Sequence, residues 1–86
     1  MKCLLVEDDQ ALARELGQAL RDGDWLVEHA ATGQDADFLV RTEAYDTLIL
    51  DVGLPDGDGT RWLAAGREDG IDLPVLILTA RERWAD

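Results

Sequence analysis

Glu7 and Asp8 follow directly on the apolar run Cys3-Leu4-Leu5-Val6, Asp51 follows Leu48-Ile49-Leu50, and Thr79 follows Val75-Leu76-Ile77-Leu78. Three acids and a hydroxyl therefore stand where strand-like runs stop. If the runs are neighbouring parallel strands, these side chains gather at the carboxyl edge of one sheet, where open α/β sheets bind ligands. Such a set suits a divalent cation and a phosphoryl group.

The electrostatics sharpen this reading. Two unit charges 4 Å apart repel by about 4 kcal/mol at an effective dielectric of 20, so a cluster of Glu7, Asp8 and Asp51 requires a cation or protonation. Carboxylates with a backbone carbonyl are hard oxygen ligands, and a site that keeps several waters suits Mg²⁺ or Mn²⁺. Asp51 is then a candidate nucleophile toward phosphorus, because an aspartyl phosphate is an accessible covalent intermediate. The Thr79 hydroxyl and the amides of Val52, Gly53 and Ala80 would hold the phosphoryl oxygens. Taken singly, Glu7 to Asp9 are explained as helix caps and Asp51 as a solvated strand end. As a set at three strand ends they favour chemistry.

The elements that must position these residues alternate along the chain. Lys2 to Val6 reads as a strand covered on both faces. Asp8 or Asp9 then caps a helix with Leu12, Leu16, Ala19 and Leu20 on its apolar side, ending near Gly23, expected to take the left-handed conformation. Trp25 to Ala30 gives a mixed strand suited to an edge. Thr32-Gly33 opens a second helix with Ala36, Leu39 and Val40 on one side, running out near Glu43. Asp46 to Asp51 is the central strand, and Val52 to Gly59 is a loop rich in Gly and Pro. A third helix runs from Thr60 to about Asp69, weakened by Gly66, and Pro74 starts the last strand. Strand and helix alternating over short connections imply parallel βαβ units.

Composition bounds the function. Eighty-six residues make at most one domain. Hydrophobic residues at 47% and charged ones at 31% fit a soluble globular chain, and no apolar run approaches the roughly 20 residues of a membrane helix. A formal charge of −11 with a single lysine, Lys2, disfavours direct binding to nucleic acid or anionic membranes. Cys3 is the only cysteine, excluding an intrachain disulfide and suggesting a reducing compartment. With no signal-peptide pattern at the N-terminus, a cytoplasmic location is expected.

Three ordered segments carry a family resemblance: Leu5-Val6-Glu7-Asp8-Asp9, Leu48-Ile49-Leu50-Asp51-Val52-Gly53-Leu54-Pro55-Asp56-Gly57-Asp58-Gly59, and Pro74-Val75-Leu76-Ile77-Leu78-Thr79-Ala80-Arg81. Over nearly its whole length the chain resembles the receiver domain of bacterial two-component response regulators, most closely the branch preceding a winged-helix DNA-binding domain. The resemblance implies a flavodoxin-like, doubly wound parallel sheet of order 2-1-3-4, with residues 1–86 as a partial receiver. It implies that Asp51 accepts phosphate from a phosphohistidine on a sensor histidine kinase. Asp8, Asp51 and the Gly53 carbonyl would ligate Mg²⁺, with Glu7 acting through water, and Thr79 would be the switch hydroxyl. DNA would be reached only through a C-terminal domain that is not in this chain. Such a receiver is a switch, with at most slow autophosphatase activity.

The chain departs from the resemblance in two places. The sequence stops at Asp86, so the fifth βα unit, its lysine and its aromatic switch residue are missing. Val75 to Leu78 would then be an exposed apolar edge strand prone to self-association. Gly66 stands where similar receivers place a large aliphatic residue, which suggests a small void that Gly66→Leu would fill.

Rival readings are weaker. A receiver-like interaction module that no longer takes phosphate is the main alternative. A metal-dependent aspartyl phosphatase would need a second Asp two residues after the nucleophile, where this chain has Gly53. Leu48 to Asp51 imitates a Walker B strand, but no phosphate-binding Gly-x-x-x-x-Gly-Lys-Ser/Thr loop exists. His29 reads as structural, and Trp25, Trp62 and Trp84 read as packing or partner contacts.

Overall fold

The structure, a computed structural model, describes the backbone of residues 1–51 and 59–78 and the side chains of residues 1–50 and 61–77. The elements run β1 (Lys2–Val6), α1 (Gln10–Asp22), β2 (Leu26–Ala30), α2 (Gly33–Thr42), β3 (Thr47–Asp51), α3 (Gly59–Glu68) and β4 (Val75–Leu78). Each lies within a residue or two of its expected bounds. The four strands form one parallel sheet in the order β2-β1-β3-β4, as the alternation and the resemblance implied.

The continuous apolar character of β1 has the expected cause, since side chains alternate across a sheet covered on both faces. Leu4 and Val6 join Ala30, Ala36, Tyr45, Leu48 and Leu50 in a core packed by Leu39, Val40, Trp62 and Leu63. Cys3 and Leu5 join Ala13 and Ile49 on the opposite face, packed by Leu16, Leu20, Trp25 and Val27. Leu4, Leu5, Leu48 and Leu50 are fully buried, and each such burial contributes roughly 1.5–3 kcal/mol. Cys3 is buried as well, and that burial raises its thiol pKa against the opposing pull of Arg21.

Helix α1 meets the sheet along a different stripe from the one expected. Ala13 and Gly17 are its buried residues, flanked by the half-buried Leu16 and Leu20, while Ala19 faces solvent. Ala13 joins the core, and Gly17 lies under the Arg21 guanidinium, which a Cβ there would meet at 3.1 Å. Asp9 caps the helix, its Oδ1 accepting the Leu12 amide at 3.1 Å.

The end of α1 also differs from expectation. Gly23 keeps an ordinary φ of −93°, and the left-handed residue is Asp24 at φ 71°. The Trp25 amide donates to Leu20 O at 3.1 Å and the Asp24 amide to Arg21 O at 2.9 Å, a Schellman closure with Asp24 in the position usually given to glycine. Helix α3 closes the same way around Gly70 at φ 92°, with Ile71 N donating to Gly66 O at 2.9 Å and Gly70 N to Arg67 O at 3.1 Å.

That closure disposes of the expected void at Gly66. The closure pairs Gly66 with Ile71 as its hydrophobic contact, and a Cβ on Gly66 would lie 3.3 Å from Ile71 Cδ1. Gly66 does face inward, but the space beside it belongs to Ile71, five residues further on and folded back by the closure, which periodicity alone does not reveal.

Candidate functional site at the carboxyl edge of the sheet

Strand register brings the acids together. Val6 pairs with Leu50 across β1 and β3, so the next residues, Glu7 and Asp51, emerge level with one another on strands that lie about 4.8 Å apart. Asp51 in turn pairs with Leu78, the last described residue of β4. Val52, Gly53, Thr79 and Ala80 lie outside the described residues, as does the side chain of Asp51.

The turn after β1 is closely held. Glu7 is 2% exposed, the one charged side chain buried among the described residues. Its Oε2 accepts the Asp9 amide at 3.1 Å, so the buried carboxylate also shapes the turn that starts α1. Its backbone amide donates to Ala30 O at 3.0 Å, and its carbonyl accepts from Nε2 of His29 at 2.7 Å. Asp8 is half-buried, with Oδ1 shielded from solvent. Asp9 is exposed and spends its side chain on the helix cap.

Of the three acids of this turn, Asp9 caps α1, while Glu7 is buried and Asp8 half-buried. Burying carboxylates in one place is costly without a counter-charge. Carboxylate oxygens are hard donors of the kind that Mg²⁺ or Mn²⁺ takes, and among the described residues Glu7 and Asp8 are not joined by the further His, Cys, Asp or Glu that would complete a metal-holding group.

His29, read from the sequence as structural, does make a structural contact at this turn. The parallel register that sets Leu5 opposite His29 returns the ring to the Glu7 backbone 22 residues away in sequence. Only the β1–β2 register carries that signal, and no local pattern displays it. The tryptophans behave as expected where they are described: Trp25 packs on the α1 face and Trp62 on the opposite core. Trp84 lies outside the described residues.

A four-stranded parallel sheet of order β2-β1-β3-β4, flanked by helices and gathering acids at its carboxyl edge, defines a doubly wound α/β protein of the flavodoxin-like kind. Within that class the chain belongs to the response regulator receiver domain family, which it matches over residues 3–86. It is 43% identical over 86 residues to the transcriptional regulatory protein PmrA of Pectobacterium parmentieri, covering 100% of this chain and 39% of that protein. It is 37% identical over 86 residues to the transcriptional regulatory protein PhoP of Escherichia coli K12, again covering 100% of this chain and 39% of that protein. Among solved structures, the receiver domain of the Francisella response regulator 1452 superposes with a TM-score of 0.89 at 30% identity, over 96% of this chain and 69% of that one. The chain thus spans 39% of the length of these curated relatives.

Proposed function

We propose that residues 1–86 form a partial receiver domain that takes a phosphoryl group on Asp51. The observation that carries this reading is the register that sets the buried Glu7 level with Asp51 at the carboxyl edge of the sheet, with the half-buried Asp8 next in the chain. A carboxylate oxygen of Asp51 attacks phosphorus of a phosphohistidine on a sensor histidine kinase. The P–O bond forms as the P–N bond breaks, and the leaving imidazole recovers a proton from solvent.

Asp8, Asp51 and the Gly53 carbonyl are assigned to hold Mg²⁺ (or Mn²⁺), with Glu7 reaching it through water. When bound, the cation neutralises charge on the phosphoryl oxygens. The amides of Val52, Gly53 and Ala80 are assigned to the remaining oxygens, and Thr79 to the hydroxyl that moves on phosphorylation. A coupling of about 1–3 kcal/mol between such a site and a distant face is typical of switches. The chain acts as a cytoplasmic phosphoacceptor rather than a dedicated enzyme, with at most slow loss of its own phosphate. The names of its relatives as transcriptional regulators support transcription as the output of a longer protein, with DNA contacted by another domain. Self-association through Val75–Leu78 belongs to the same reading.

The test is intact mass after incubation with acetyl phosphate, with and without Mg²⁺, for this chain and for Asp51→Asn. A Mg²⁺-dependent phosphoryl adduct absent from the variant is the expected result. No adduct on the folded chain would favour a module that binds partners without taking phosphate.

A further inference from the structure

The hydrogen bond from His29 to the Glu7 carbonyl occupies a specific gap in the sheet. In a parallel ladder a residue donates to one neighbour's carbonyl and accepts from an amide two residues further on. Glu7 donates to Ala30 O, so the ladder would next offer the Thr32 amide. The chain bends at Ala31 and Thr32 instead, because Thr32 caps α2, its hydroxyl accepting the Asp35 amide at 3.1 Å. The His29 ring, reaching forward along the same strand, supplies the donor at 2.7 Å. A carbonyl only accepts, so Nε2 carries the proton of this bond.

The Glu7 carbonyl and the Asp8 amide belong to one planar peptide unit. Fixing that oxygen from β2, with the Glu7 amide already tied to Ala30, sets the plane of the unit and the direction in which Asp8 leaves β1. The Oε2 contact to the Asp9 amide then fixes the following turn. From this geometry we infer that His29 is a positioning residue for the cation site, acting through the main chain of Glu7 and touching neither cation nor phosphoryl group. The inference rests on the cation-dependent reading proposed above.

Ligand-orienting hydrogen bonds of this kind are typically worth about tenfold or more in metal affinity. The experiment is Mn²⁺ titration followed by electron paramagnetic resonance on the wild-type chain, His29→Ala and His29→Gln, with thermal melts of each. Glutamine places an amide nitrogen near the position of Nε2, so it keeps the donor while removing the ring. The expected result is about tenfold weaker Mn²⁺ binding in His29→Ala and affinity close to wild type in His29→Gln. Because His29 is exposed, both variants should fold, and the melts verify it. Equal affinity in all three folded chains, or equal loss in both variants, would overturn the positioning role while leaving the cation site standing. Absence of Mn²⁺ binding to the wild type would instead overturn the cation-dependent reading itself, and is read from that arm alone.

Discussion

The Tyr45 hydroxyl donates to Oε1 of Glu28 across 2.5 Å, joining the start of β3 to the middle of β2 beneath the sheet. Lys2 completes the cluster, its Nζ lying 3.8 Å from Glu28, 3.4 Å from Glu43 and 5.0 Å from the Tyr45 ring centre. This lies at the opposite end of the strands from the acids of the proposed site, where bonding serves stability.

Burial first, then the hydrogen bond to Glu28 and the charges of Glu28 and Glu43, raise the Tyr45 phenol well above its ordinary 10.0. A raised folded value means the native state holds the proton more tightly than the unfolded chain. The resulting stability is full below about pH 10 and is lost as pH climbs from there toward the folded value. Tyr45 is the only tyrosine, so phenolate absorbance reports it alone. The phenolate should appear only together with alkaline unfolding; ionisation near pH 10 in a chain still folded by circular dichroism would refute this. Tyr45→Phe should cost about 1.5–3 kcal/mol in denaturant melts, the range for a hydrogen bond to a charged group.

The two Schellman closures make opposite predictions. Asp24 holds φ 71° with a side chain, so Asp24→Gly should stabilise by about 0.5–1 kcal/mol. Gly70 holds φ 92°, so Gly70→Ala should destabilise by about 1–2 kcal/mol even though nothing lies within 4 Å of the added Cβ. Urea midpoints moving in the same direction for both would show that the caps are misassigned.

Gly66→Leu should lower the melting temperature, because its side chain competes with Ile71 for one space; overpacking of this kind costs about 1–3 kcal/mol. Gly66→Ala gains about 1 kcal/mol of helix propensity against a 3.3 Å contact with a mobile methyl end, and should lie close to wild type. A higher melting temperature for the leucine variant would restore the void inferred from periodicity.

Leu76 and Ile77 are 58% and 43% exposed on β4, which is an edge strand among the described residues. Consecutive strand residues face opposite sides, so each face of β4 carries a partly exposed apolar side chain, although Val75 packs against the core. Sedimentation at micromolar concentration should show species larger than the monomer, and Ile77→Lys should shift them toward monomer by placing a charge on the exposed strand. A wild type that sediments only as monomer would remove the case for self-association.

Much of this protein is legible in one dimension. Apolar runs of strand length, each ending in Glu7-Asp8, Asp51 or Thr79 and separated by helix-periodic segments, determine the parallel α/β alternation and the acids' place at strand ends, because covered strands must be apolar throughout and polar residues then collect where they stop. Other features depend on which strand lies beside which, and by what offset. Register made Glu7 level with Asp51 and brought His29 to the Glu7 carbonyl. Helix rotation against the sheet buried Ala13 and Gly17 and left Ala19 exposed. Chain reversal gave the left-handed position to Asp24 and the space beside Gly66 to Ile71. These are contacts between residues distant in sequence, or fixed by a turn's hydrogen bonds, and periodicity carries no information about either.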